Sequence, residues 1–247
     1  MKSLDIKIDL LKCVRNELVP ENPYTKSSGI KGLLEYRINS NNNKRHPDSI
    51  YEGYDKKLKK YYGRSKTAEC FEKIYNINPF DIGSSDTIFN CWSFLNRFVR
   101  GKTGKDWVSE KEVLNNLDKI FNGYEDVKKL LDKLADYHHS LANFMPAPYG
   151  FNGSASHDGK GQHDRDNDMP DVYYKRAEKE FPYMYKWINN NIDKYCLHFF
   201  KKYKSNLSDG IANSPLDIKN NDDMEKYKES IRNAIRCIEE RAKYLTK

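Results

Sequence analysis

The sequence predicts a mainly α protein, a single irregular helical domain carrying one long loop rich in Gly, Pro, Asp and His. Three observations predict it. Apolar residues recur at helical spacing through the middle and carboxyl end, capping signals frame several of these runs, and breakers crowd into residues 143–170. A chain of 247 residues sits near the upper limit of one hydrophobic core, so a second independent domain is not expected. Residues 1–205 read as the helical core domain, and 206–247 as a linker with a carboxyl-terminal amphipathic helix that packs on the core or on a partner. The hydrophobic share is only 38% and the charged share is 32%, but 13% of residues are aromatic. Disorder needs few aromatics as well as high charge, so the chain is expected to fold.

The elements follow in order. Ile6, Leu10, Val14 and Leu18 recur every four residues and favour a helix over 3–18 capped by Ser3, although Leu4, Ile6, Ile8 and Leu10 also alternate as in a strand. Pro20 and Pro23 close it, and residues 38–47, with five consecutive polar residues from Asn39, read as a loop. Residues 51–75 mix Lys with aromatics and suit one or two short helices before Asn78-Pro79. From Asp86 to Arg100, Ile88, Trp92, Leu95 and Val99 share a face, with Asp86 placed in the first turn where the helix dipole favours an anion. Ser109 to Glu112 forms a capping box, Val108 and Val113 a hydrophobic staple, and Gly123 a stop. A helix from about Glu125 is expected to bury Val127, Leu130, Leu131 and Leu134 and to bring His138 to the same face. Helical patterning resumes at Asp171, restarts at Pro182 as a first-turn proline, and returns after a polar linker over 205–221. The last helix begins at Asp222 or Asp223 and carries Tyr227, Ile231, Ala234, Ile235, Ile238, Ala242 and Leu245 on one stripe.

Composition excludes several classes of protein. Charged residues interrupt the first twenty positions, so no export signal is read there, and no stretch approaches the roughly 20 apolar residues of a membrane span. The five cysteines are odd in number, scattered and without a C-x-x-C pair, which predicts reduced thiols in a cytoplasm. A formal charge of +7 accompanies heavy use of Lys, Asn, Ile and Tyr, so the excess reads as diffuse. Two runs nevertheless alternate Lys with Tyr: Lys56 to Arg64, and Lys201 to Lys204. Lysine can track phosphates while tyrosine stacks on unpaired bases, which makes single-stranded nucleic acid a candidate partner; a solvated face is the alternative.

The densest chemistry lies in His138-His139-Ser140-Leu141-Ala142-Asn143-Phe144-Met145-Pro146-Ala147-Pro148, with Asn152 just beyond. It resembles the H-[ST]-[IL]-[GA]-N-F-[IM]-P-x-P signature of a family of uncharacterised bacterial proteins. Members of that family tend to carry an upstream D-T-I-x-x-[FC]-W segment, matched by Asp86 to Trp92; the resemblance spans about 71–195. A more distant resemblance joins Leu141 to Met145, with Asn152, to the HNH-type nuclease region of some modification-dependent restriction enzymes. That resemblance implies a His that activates water and a divalent ion that steadies charge developing on phosphate. The D-H-I-x-P element of that region is absent, and His46-Pro47 stands far upstream.

These residues carry two readings from different classes. In one, the chain is a nucleic-acid-acting, nuclease-like enzyme, such as a toxin or phage-defence effector. His139 is then the general base, Asn143 and Asn152 position the substrate, and His157, His163 and Asp164 of the Asp/His-rich loop hold a divalent metal ion. In the other, the His pair answers the helix dipole, the asparagines organise turns, and the chain is a non-catalytic interaction module whose carboxyl-terminal helix binds a protein. An enzyme acting on a small polar substrate is a further alternative. Asp164, Asp166 and Asp168 mimic a calcium loop, but Met169 and Lys175 occupy the positions of its Gly and Glu.

Overall fold

The computed structural model describes residues 9–18, 27–40, 46–55, 57–58, 60–81, 83–148, 151, 169–205 and 215–246. The protein is mainly α. Its helices are α1 (Arg15–Leu18), α2 (Gly29–Ser40), α3 (Lys66–Tyr75), α4 (Cys91–Thr103), α5 (Glu110–Asn115), α6 (Leu117–Phe121), α7 (Glu125–His138), α8 (Pro170–Glu180), α9 (Pro182–Asn191), α10 (Phe199–Lys202) and α11 (Asn221–Leu245). Two antiparallel ribbons accompany them: β1 (Gly53–Asp55) with β2 (Lys60–Tyr62), and β3 (Ser84–Thr87) with β4 (Phe144–Ala147). Among the described residues no helix is long and apolar enough to cross a membrane.

The core forms around α7, which packs against α2, α4 and α11. Val127, Leu131, Leu134 and Ala135 of α7 are fully buried there, facing Phe94, Leu95 and Phe98 of α4. The stripe of α11 lies on this core, with Tyr227, Ile231, Ala234 and Ile238 buried and the Tyr227 hydroxyl donating to the Phe94 carbonyl at 2.8 Å. The apolar face of the carboxyl-terminal helix is therefore used within the chain.

Local signals hold where the sequence states them locally. The Ser109 side chain accepts from the Glu112 N–H at 3.2 Å and starts α5, and Gly123 takes a φ of +78° after α6. Pro170 and Pro182 both open helices, and Asn220 caps α11 through the N–H groups of Asp222 and Asp223.

The structure departs from the sequence expectations in four places. The helix expected from Asp86 begins at Cys91, with Asn90 accepting from the Trp92 N–H as its cap. Asp86 instead lies in β3, opposite Met145, because residues 84–87 find strand partners in the motif that follows α7. Pro146 fits this two-stranded ribbon because an edge strand can forgo one N–H. Residues 29–40 form a helix where none was expected. The helix expected over 3–18 has residues 1–8 outside the described region, and only 15–18 of the remainder are helical. Residues 10–14 instead exchange main-chain bonds with the motif, Ala142 N–H to the Leu10 carbonyl and Val14 N–H to the His139 carbonyl. Finally, the segment 51–75 holds the β1–β2 hairpin as well as one helix.

Candidate functional site

The motif after α7 is the meeting point of the fold. Asn143 is completely buried, and its amide is committed to main chain. It accepts from the Phe89 N–H at 3.0 Å and donates to the carbonyls of Phe89 and His138, each at 3.0 Å. His138 Nδ1 accepts from the N–H of Cys91 at 3.2 Å, satisfying one of the donors left open at the start of α4. Its ring is therefore neutral; burial first, then the Arg37 and Arg15 charges, push it down to about 3. His139 is 4% exposed, packed edge-on to Tyr36 at 4.7 Å and to His138 at 4.4 Å. Burial, reinforced by His138 and Arg15, holds it well below the ordinary histidine range.

Arg241 of α11, a helix packed against α7, also reaches this corner. Its guanidinium donates to the carbonyls of Ala142 at 2.6 Å, Phe144 at 2.8 Å, Tyr195 at 3.2 Å and Cys196 at 3.3 Å, and to the Tyr75 hydroxyl. Nothing in the sequence marked this residue, because its partners lie in three distant segments. The fold also brings the upstream His46 within electrostatic reach of both histidines, although more than ninety positions separate them.

Of the residues expected to do chemistry, His139 and Asn143 thus meet in one enclosed corner, while Asn152, His157, His163 and Asp164 lie outside the described residues. A general base has to come within hydrogen-bond reach of the proton it removes. Both side chains are enclosed: Asn143 ties the Phe89 main chain to the end of α7, the His139 ring lies between Tyr36 and His138, and it is His138 that meets the start of α4. Among the described residues no group of three or more His, Cys, Asp or Glu side chains could hold a metal ion.

The β1–β2 hairpin presents a different surface. Tyr51 is half-buried and pinned by its hydroxyl to the Gly83 carbonyl at 3.3 Å. Its ring is stacked on Tyr61 at 4.7 Å and lies tilted against Phe80 at 5.6 Å. Tyr61 is 52% exposed, Phe80 41%, and Tyr62, whose ring covers Gly53, 55%. The turn between the strands is shaped by Asp55, which accepts from the N–H groups of Lys57 and Leu58 at 2.8 and 3.0 Å. Residues 51–64 contain five cationic side chains against Glu52 and Asp55, and Lys57 and Lys60 are exposed on the same hairpin.

The sequence pointed to Tyr61 and Tyr62 through the Lys/Tyr run, but Tyr51 and Phe80 join the stack from outside it. The second run behaves differently: Tyr203 is buried, its hydroxyl 2.8 Å from Ser230 Oγ, so the ring of that run is not offered to a ligand. Searches of protein-family models, curated proteins and solved structures found nothing that matches this chain.

Proposed function

We propose that the chain is a cytoplasmic protein that binds single-stranded nucleic acid on the hairpin face, as a binding module and without cutting it. The observation that carries this reading is the ring cluster of exposed Tyr61 and Phe80 about Tyr51 on a hairpin that also exposes Lys57 and Lys60. Every unpaired base has a face to stack on an aromatic ring, and lysines on the same hairpin attract the backbone without reading sequence. Duplex bases are already stacked and offer no such face. The enclosure of the pair His139 and Asn143 favours binding over hydrolysis, since the Asn143 amide is spent on the protein's own main chain and the His139 ring is buried between Tyr36 and His138.

The test is fluorescence anisotropy with labelled single-stranded RNA and DNA of mixed sequence, beside duplexes of the same length, over a series of salt concentrations. Single strands are expected to bind more tightly than duplexes. Tyr61→Ala and Phe80→Ala should each weaken binding by about 1–3 kcal/mol, the usual cost of removing one base–ring stack. Reversing Lys57 and Lys60 to Glu should flatten the salt dependence, by about 0.7 in the logarithmic slope for each phosphate that is no longer neutralised. Equal affinity for duplex, or full binding by both ring variants, would sink the reading. Metal-dependent cleavage that disappears in His139→Gln would replace it with the nuclease.

A further inference from the structure

Two of the five cysteines, Cys196 and Cys237, line one cavity of about 160 Å³ between the turn after α9 and the outer end of α11. Cys196 stands at φ +56°, in the left-handed region that side chains rarely adopt. Such a conformation is strained and persists only where the surroundings over-determine it. Here the Leu197 N–H closes the turn on the Ile192 carbonyl at 2.8 Å, and Arg241 Nε donates to the carbonyl of Cys196 itself. Cys237 precedes Arg241 by one helical turn on the same face, so Cys237 and the residue that fixes the Cys196 carbonyl both face the cavity.

The remaining walls supply a base and a charge preference. His198 lines the cavity two residues after Cys196, with Nε2 3.0 Å from Asp193 Oδ1, the orienting contact a general base needs. Lys202, Arg241 and Glu240 also line it. The N–H groups of Arg241 are engaged with main chain and Tyr75, so it contributes charge, while Lys202 is exposed at the rim.

We propose that this cavity is a thiol–disulfide exchange site, in which Cys196 attacks an anionic low-molecular-weight disulfide and Cys237 resolves the product. His198 takes the proton of Cys196. The thiolate attacks one sulfur of the disulfide, the S–S bond breaks, and the leaving thiolate recovers that proton as a free thiol. Cys237 then attacks the Cys196 sulfur of the mixed disulfide. The second small thiolate leaves and takes up the proton of Cys237. Two protein thiols and one disulfide become one protein disulfide and two small thiols, with no other reactant. Burial raises both thiols, Cys237 to about 12, so they rest protonated and react only where a base removes the proton. A thiolate of high basicity is a strong nucleophile once formed.

The experiment incubates the reduced full-length protein with oxidised glutathione at mildly alkaline pH, quenches with acid, and maps the peptides by mass spectrometry. Wild type is expected to yield a linked pair of peptides containing Cys196 and Cys237. Cys237→Ser should retain glutathione on Cys196, while Cys13 and Cys70 react more slowly and keep any adduct. Asp193→Asn should slow the loss of the Cys196 thiol by about tenfold or more and move its rate–pH profile, as expected when a general base loses its orienting partner. Equal modification of Cys13, Cys70 and Cys196 would overturn the proposal, as would wild type that keeps glutathione on Cys196 without forming the internal disulfide. The wild-type peptide map decides the matter even if a variant fails to fold.

Discussion

Arg241 is a buried cation held by four carbonyls and one hydroxyl. Carbonyl dipoles stabilise its charge, and in return it satisfies acceptors that irregular backbone at 142–144 and 195–196 cannot pair within a helix. Replacing it with Met leaves those carbonyls without their donors. Each buried unsatisfied group costs about 1–3 kcal/mol, so Arg241→Met should lower stability by about 3 kcal/mol or more. Arg241→Lys, with three donors on a flexible stem, should recover only part. Urea unfolding monitored by circular dichroism would show the ordering wild type, Lys, Met; equal midpoints for all three would mean that the carbonyls find other partners. The histidines and Asn143 were legible as important because they sit side by side in one motif. Arg241 was not, because its partners lie between 45 and 166 residues away and leave no mark near position 241.

At the scale of elements, α2 shows the same difference between local and distant information. Its first N–H groups are received by α7: Gly29 donates to Asp136 Oδ1 at 2.7 Å and Ile30 to Asp132 Oδ1 at 2.9 Å. The two aspartates are one turn apart, so a single face of α7 caps the neighbouring helix and sets how it crosses. Gly29 is required twice over, by its φ of +63° and because a Cβ there would meet Asp132 Oδ1 at 2.5 Å. Removing a capping carboxylate typically costs about 1 kcal/mol. Asp136→Ala is expected to cost that much, and Asp132→Ala more, since it also loses the ion pair with Lys128. Thermal unfolding of both variants checks this, and hydrogen exchange should show faster opening confined to residues 29–33. The capping box at Ser109 could be read from four consecutive residues, whereas the cap of α2 lies a hundred positions downstream. The β3 strand was hidden for a related reason: Asp86 and Thr87 become strand only because Met145 and Phe144 lie opposite.

At the scale of the whole molecule, the two enclosed histidines make stability depend on pH. Folding holds His138 at about 3 and His139 well below its ordinary value, while both return to about 6.5 when the chain unfolds. The unfolded state therefore binds more protons than the folded state below pH 6.5, and stability rises with pH through that range. The contribution of the neutral pair is complete above about pH 6.5 and is lost as the pH falls towards 3. Each histidine accounts for about 1.4 kcal/mol per pH unit, so at pH 5 the pair should have cost roughly 4 kcal/mol relative to neutral solution. Arg15, Arg37 and His46 hold both rings lower still, which carries the loss further down the pH scale, because a proton gained there adds to an existing positive field. The window between pH 5 and 6.5 lies above ordinary carboxylate titration, which isolates the histidines. Urea titrations across it should give a slope close to two protons per pH unit in wild type. His138→Gln, whose side-chain carbonyl can still accept from Cys91, should give close to one. A flat profile in wild type would mean that the histidines stay accessible to protons in the folded chain, and the corner at His139 would then have to be reconsidered as an open site.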